Sequence, residues 1–286
     1  MNITSDKENI ILVPTDFTPV GQNAIDHGVK ACEILGFKLV ILHVINRETR
    51  AVFGKTDTEK AVQQRLAEIA EAVKTKSTIE VEVAAREGSI FDVISEVAKE
   101  LKVNLMILGT HGKRGLQHLM GSYAMKVITQ SPVPVIVVQK RQIGPGGYRK
   151  VVFPISLHTE SRQQVFYAIV TQLLFKGEIH IFKQTGNNPE DNTKLRIITS
   201  QITEEFDNKH VRYSLTEADR ASNFTGQLLD FAVSESADLI MMITDSDSIH
   251  PTFDNSSWSE KLIFNIAQIP VFCINPVFLG QTYYSF

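Results

Sequence analysis

The apolar residues of this chain fall into short unbroken runs, separated by longer stretches where they recur every three or four positions. Ile10-Ile11-Leu12-Val13-Pro14 is such a run, rich in β-branched residues and ended by proline, and it predicts a buried strand. Val151-Val152-Phe153-Pro154 repeats it, with Pro154 standing 140 positions after Pro14. Leu105-Met106-Ile107-Leu108 finds its counterpart 134 positions on, in Leu239-Ile240-Met241-Met242. Pro134-Val135-Ile136-Val137-Val138 does so 136 positions on, in Pro270-Val271-Phe272-Cys273-Ile274. Three strand matches at nearly one offset, in one order, describe two diverged copies of one unit. Gly144-Pro145-Gly146-Gly147 has the composition of a linker. The predicted organisation is a first domain over 1–141, a linker over 142–148 and a second domain over 149–286.

In the first copy the pattern predicts strands near 10–14, 38–44, 78–84, 104–109 and 134–138. Between them, Val62, Leu66, Ile69 and Val73 share one helical face, as do Val93, Ile94, Val97 and Leu101. A helix is also expected from about Pro19, and another over Tyr123 to Gln130. Strands alternating with crossover helices predict an α/β fold: an open, doubly wound, mainly parallel sheet in each copy, with helices on both faces. Thr78-Ile79-Glu80-Val81-Glu82-Val83 alternates polar and apolar residues, so one face is wet and the strand is an edge. Val211, Tyr213 and Leu215, alternating with Arg212 and Ser214, give the second copy the same edge.

Composition narrows the class. The chain is 43% hydrophobic and 21% charged, enough apolar residue for real cores and typical of a soluble globular protein. Its net charge of -3 provides no field to attract nucleic acid or an acidic membrane. No run of 18 apolar residues predicts a transmembrane helix, and the polar start, Met1 to Asn9, has no apolar signal segment. Cys32 and Cys273 sit among apolar neighbours and are expected to be buried small hydrophobes. These features predict a cytoplasmic protein.

The candidate chemistry lies at strand ends. Gly109-Thr110-His111-Gly112-Lys113-Arg114-Gly115, followed by Gly121-Ser122, runs from the end of the fourth strand into a helix. Glycines let backbone amides approach a ligand, Ser122 is a suitable N-cap, and free amides at a helix start favour anions. Lys113 and Arg114 add positive charge, so the stretch reads as a phosphate loop. After the first strand, Asp16 in Pro14-Thr15-Asp16-Phe17-Thr18 suits a ribose hydroxyl, and Asp16 or Thr18 equally suits the cap of the next helix. Open α/β sheets bind ligands beyond the strand carboxyl ends at the switch point, where Asp16 and Gly109 meet if strands one and four are neighbours.

Val13-Pro14-Thr15-Asp16, Gly109-Thr110-His111-Gly112, Gly121-Ser122 and Pro132-Val133-Pro134-Val135, in that order, resemble the motifs of the universal stress protein family. The resemblance spans the first copy and, more faintly, the second. It implies the strand order 3-2-1-4-5. It also implies a site for ATP, with magnesium as an accompanying ion: the aspartate and a residue after strand two hold adenosine, and the glycine motif holds the phosphates. Carried onto this chain, those positions are Asp16, Val44, Gly109, His111, Gly112, Gly121 and Ser122. Pro14, Thr15, Leu108, Arg114 and Tyr123 flank them and complete the candidate nucleotide set. One departure stands out: eight residues separate Gly112 from Gly121, where the family pattern has nine. One residue spans roughly 3.3–3.6 Å of chain, about one hydrogen-bond length.

The second copy departs further. Ser156 stands where Asp16 would, and its loop carries Asp245, Asp247 and Asp254 without a glycine, a set that repels phosphate. Those carboxylates lack the glycine turn and terminal glutamate of a calcium loop, and the histidines show no zinc-type spacing, so no metal site is expected. Ser257-Trp258-Ser259-Glu260 reads as a capping box that keeps the helix without the anion site. His43, within an apolar strand, is expected to be a hydrogen-bonded core residue.

Three functions compete. The first is a stress-response protein with an adenine nucleotide as regulatory ligand of the first copy. The second is a scaffold acting through partner contacts. The third is an ATP-using enzyme, ranked last because Val13 to Thr18 has no Ser-Gly-Gly or His-x-Gly-His loop and no general base is evident. No catalytic residue is assigned. The fifth strands are apolar edges that invite pairing, so the two copies are expected to pair with each other, with a homodimer beyond that. On this reading Gly121→Val abolishes ATP binding and Ser156→Asp leaves it unchanged, both measured by calorimetry.

Overall fold

Each apolar run becomes a parallel strand, and each helical stripe becomes a helix laid across its sheet. The computed structural model describes residues 9–54, 57–111, 121–157, 163–244 and 258–276. These divide into two compact units, with the division between Gln142 and Ile143. Among the described residues no helix is long and apolar enough to cross a membrane.

The first unit runs β1 (Ile10–Pro14), α1 (Pro19–Leu35), β2 (Lys38–Ile45), α2 (Arg47–Phe53), α3 (Thr58–Lys76), β3 (Val81–Glu87), α4 (Ile90–Glu100), β4 (Leu105–Gly109), α5 (Gly121–Gln130) and β5 (Val135–Val138). Its strand order is 3-2-1-4-5 and all pairings are parallel, as expected from the pattern and the resemblance. β1 pairs β2 from Ile10↔Lys38 to Pro14↔Leu42, and β4 on its other side from Ile11↔Leu105. β1 is therefore the strand where the winding direction changes. All five of its residues are buried. Burying such Ile, Leu and Val side chains contributes roughly 1.5–3 kcal/mol each as an upper bound.

The second unit runs β6 (Lys150–Ile155), α6 (Gln164–Phe175), β7 (Glu178–Lys183), α7 (Pro189–Asn208), β8 (Tyr213–Glu217), α8 (Phe224–Ser234), β9 (Leu239–Ile243), α9 (Trp258–Ile263) and β10 (Val271–Ile274). Its order is 10-9-6-7-8, the same winding with β6 in the place of β1. Cys32 and Cys273 are both buried; burial pushes the Cys32 thiol up to about 12 and the Cys273 thiol up as well, so both act as small apolar groups.

Two elements differ from the pattern. β3 is the edge strand expected, but it spans 81–87 rather than 78–84. The Ile79/Val81/Val83 alternation cannot fix its start. The ladder to β2 does: it opens where Leu39 N–H donates to Glu80 O (2.9 Å) and runs on to Ile45↔Glu87 through residues with little hydropathic signal. The second difference is α2, absent from the expectations. Asn46 and Thr49 form its reciprocal capping box, and Arg50 pairs with Glu87. Residues 184–188 connect β7 directly to α7, so the second unit has no such helix.

Gly177 shows how tightly β7 enters its sheet. Glu178 N–H donates to Arg149 O (2.7 Å), and a Cβ on Gly177 would lie 2.0 Å from that same oxygen. Gly144, by contrast, has open space around it. Gly177→Ala should lower the stability of the second unit by about 3 kcal/mol, roughly 6–12 °C in melting temperature. Gly144→Ala should stay within about 0.5 kcal/mol of the parent. Differential scanning calorimetry of the two variants checks this.

Candidate functional site

The chain leaves β1 buried and must turn sharply into α1. Phe17 makes the turn in the left-handed region, at φ 62, which costs a non-glycine residue roughly 1–2 kcal/mol. Its ring stacks on His43 (4.2 Å between centroids, 15°) and meets the edge of Phe53 (5.8 Å), so aromatic packing holds the strained residue. Thr18 is the N-cap of α1 and accepts from Gly21 N–H (3.1 Å). Asp16 curls over the same helix start, where its Oδ1 accepts from Thr18 N–H (3.0 Å) and Thr18 Oγ1–H (2.5 Å). Asp16 thus braces the cap, one of the two roles expected for it, and its side chain keeps 27% exposure.

Two glycines make this turn possible. A Cβ on Gly21 would lie 2.8 Å from Asp16 Oδ1. A Cβ on Gly109 would lie 2.8 Å from the backbone oxygen of Val20. Gly109 therefore answers to the close passage of α1 over the end of β4, a packing requirement that exists before any ligand arrives.

A cavity of about 870 Å3 opens beyond the carboxyl ends of β1, β2 and β4. Pro14, Thr15, Asp16, Val44, Leu108, Gly109 and Tyr123 of the candidate set line it. Val44 lies within β2, which runs through Ile45, rather than after the strand, and its carbonyl oxygen lies 3.2 Å from Thr49 Oγ1. His111 reaches the site from the end of β4: its Nε2 lies 3.1 Å from Thr18 Oγ1 and 3.6 Å from Asp16 Oδ2. Gly112 and Arg114 lie outside the described residues, as do Lys113 and Gly115. Gly121 and Ser122 open α5, which begins two residues earlier than expected and so puts Ser122 in the first turn instead of at the cap.

Several lining residues had escaped the sequence reading. Val52 and Phe53 come from α2, and Ile90, Phe91 and Ile94 from the start of α4. Phe91 stacks on Tyr123 (5.6 Å, 14°), and Lys126 Nζ sits 4.3 Å from the centroid of Phe91. Val52 and Tyr123 remain 72% and 48% exposed at this wall. The one sequence signal for α2 was the Asn46–Thr49 capping pair, which a hydrophobic pattern passes over.

His43 is buried, as expected: Nδ1 faces Thr15 O (2.8 Å) and Nε2 faces Thr49 Oγ1 (3.1 Å). A carbonyl only accepts, so Nδ1 carries the proton. His27 on α1 is fully buried and donates from Nε2 to Arg141 O (2.9 Å), while Asn23 one turn earlier donates to Gln139 O and Arg141 O. Burial is the largest effect on both rings and holds both pKa values below the ordinary 6.5.

The second unit places different residues in the corresponding region. Ser156 follows β6 where Asp16 follows β1, and it is buried. Phe182 holds the register position of Leu42, opposite Pro154 as Leu42 is opposite Pro14. Its ring stacks on Phe224 (5.6 Å, 14°) and Phe231 (4.7 Å, 22°) of α8. Asp245, Asp247, Asp254 and Ser257 lie outside the described residues; among the described residues no cluster of three His, Cys, Asp or Glu is set to hold a metal.

Fold and cavity together define a doubly wound α/β protein with a ligand-sized cavity at its switch point. Residues 9–139 match the model of the universal stress protein family, and this span is a universal stress protein domain. Universal stress protein A homolog 1 of Coxiella burnetii is 25% identical over 142 residues, covering 46% of this chain and 96% of that protein. Universal stress protein MJ0577 of Methanocaldococcus jannaschii is 29% identical over 154 residues, covering 46% and 94%. The chain is about twice the size of such a single domain. A crystal structure of a universal stress protein from Archaeoglobus fulgidus matches 94% of this chain and 99% of its own, with TM-score 0.75 and 19% identity, so the shared fold extends over nearly the whole chain.

The buried histidines give this domain a pH dependence of known sign. Their folded pKa values lie below the unfolded 6.5, so the unfolded chain binds protons first as pH falls. Stability should be full above pH 6.5 and fall below it by up to about 1.4 kcal/mol per pH unit for each ring, until the folded value is reached. Thermal melts between pH 7.5 and 5.5 check this, and combining His27→Gln with His43→Gln should flatten the slope.

Proposed function

We propose that the first unit binds an adenine nucleotide, ATP or a relative, as a regulatory ligand in a cytoplasmic stress response, and that the second unit is its non-binding partner. The observation that carries this reading is the cavity at the switch point with Asp16 in its wall. One carboxylate oxygen is committed to the helix cap, and the other, which has no hydrogen-bond partner among the described residues, suits a ribose hydroxyl. The apolar wall of Val44, Val52, Phe53 and Phe91 suits a nucleobase, and the volume suits a nucleoside with room beyond it. The family resemblance of the glycine stretch supports phosphates, with any accompanying magnesium, beyond Gly109.

The asymmetry supports one nucleotide per chain: the second unit has Ser156 for Asp16, no counterpart of α2, and Phe182, Phe224 and Phe231 stacked together. In this reading β5 and β10, the apolar terminal strands of the two orders, pair with each other within the chain. Light scattering then gives a monomer or its dimer.

Isothermal titration calorimetry with ATP tests the function. Saturable binding at or below millimolar concentration is expected. Asp16→Asn should weaken it by about 1.5–3 kcal/mol, tenfold or more, through loss of a charged hydrogen-bond acceptor. Absence of saturation by several millimolar ATP rejects the reading, and an Asp16→Asn affinity equal to the parent's removes Asp16 from the sugar.

A further inference from the structure

The hydroxyl of Thr18 has one hydrogen and two lone pairs, and all three are accounted for. The hydrogen goes to Asp16 Oδ1 at 2.5 Å, and Gly21 N–H occupies one lone pair at 3.1 Å. His111 Nε2, also at 3.1 Å, can then only donate to the remaining lone pair. Nε2 therefore carries a proton. It stands 3.6 Å from Asp16 Oδ2, outside hydrogen-bond reach, so that oxygen stays unoccupied by His111.

We infer that His111 is a positioning residue. Acting through Thr18, it holds the Asp16 carboxylate in the one orientation that commits Oδ1 to the helix cap and presents Oδ2 to the ligand. It thereby sets a preference for nucleotides with an intact ribose diol. The inference deepens the nucleotide reading and rests on it. Three features build this carboxylate. Thr18 N–H and Oγ1–H hold Oδ1 from α1. His111 saturates Thr18 from the end of β4, 93 positions along the chain. Gly21 leaves the space in which the carboxylate folds, since a Cβ there would lie 2.8 Å from Oδ1. Without His111 the hydroxyl keeps its hydrogen on Oδ1 and Gly21 N–H on one lone pair, but it loses the second donor that fixes it from the end of β4. The hydroxyl and the carboxylate it holds are then less restrained, and Oδ2 can turn away. A role of His111 on phosphate would look different, because it would not depend on the sugar.

The test compares ATP with 2′,3′-dideoxy-ATP, which has the same base and phosphates and neither ribose hydroxyl, by calorimetry on the full chain. The parent is expected to prefer ATP by about tenfold or more. In His111→Ala that preference should fall to within about threefold, through weaker ATP binding and an unchanged dideoxy affinity. His111→Gln, whose amide N–H2 sits near the position of Nε2, should restore most of it. Gly21→Ala, whose Cβ pushes on Oδ1, should reduce the preference as His111→Ala does. An unchanged preference in His111→Ala overturns the inference. So does equal weakening of both nucleotides, which would assign His111 to the phosphates. A parent that binds ATP without preferring it overturns the inference and leaves nucleotide binding intact, whereas a parent that binds neither nucleotide overturns both.

Discussion

The start of α1 passes so close to the ends of β1 and β4 that only particular residues fit there, and the rest of the site follows from this crowding. Val20 O comes close enough to Gly109 that a Cβ would not fit, and Gly21 leaves no room for one beside Asp16. With the helix held there, its first amides must be satisfied within a very small space. Thr18 and Asp16 satisfy them, and Phe17 accepts a left-handed backbone so that both can reach. The same crowding that caps the helix thus fixes a carboxylate at the switch point. A site of this kind is preorganised, because the order that a ligand requires has already been imposed by packing.

The two units show what keeps such a cavity open. Both have the same winding and the same central strand. The first adds α2, anchored by the Asn46–Thr49 box and the Arg50–Glu87 pair, and this helix stands as a wall beyond the strand ends. The second goes directly from β7 to α7 and sets Phe182 against Phe224 and Phe231. Aromatic rings stacked in this way favour a dry core over a hydrated pocket. One fold therefore carries a ligand-sized cavity in the first unit and stacked aromatic rings in the corresponding region of the second.

Much of this was legible along the chain. Buried parallel strands are unbroken apolar runs because both faces are covered, and the runs at 10–14, 105–108 and 151–154 needed nothing more. The edge character of β3 was equally plain from its alternation, although its start was not, since pairing with β2 set it. Asp16 and Gly109 were singled out by position after a strand, a rule of open sheets. The reason for Gly109 was not legible, because it lies in a backbone 89 positions away, at Val20. Phe53, Phe91 and Ile94 were missed because apolar residues on helices look alike in sequence whether they line a cavity or a core.

The sequence by itself determined the two copies, their alternation of strands with helices, and the asymmetry between Asp16 and Ser156, because hydropathy and residue type act over a few positions of chain. Only the tertiary structure decided that His111 meets the Thr18 hydroxyl that holds the Asp16 carboxylate, that α2 walls the cavity, and that β3 begins at Val81. Those outcomes depend on contacts between segments far apart in sequence, such as the 3.1–3.6 Å from His111 to Thr18 and Asp16. Such distances are set by how backbones pass one another, and no local pattern of side chains encodes that.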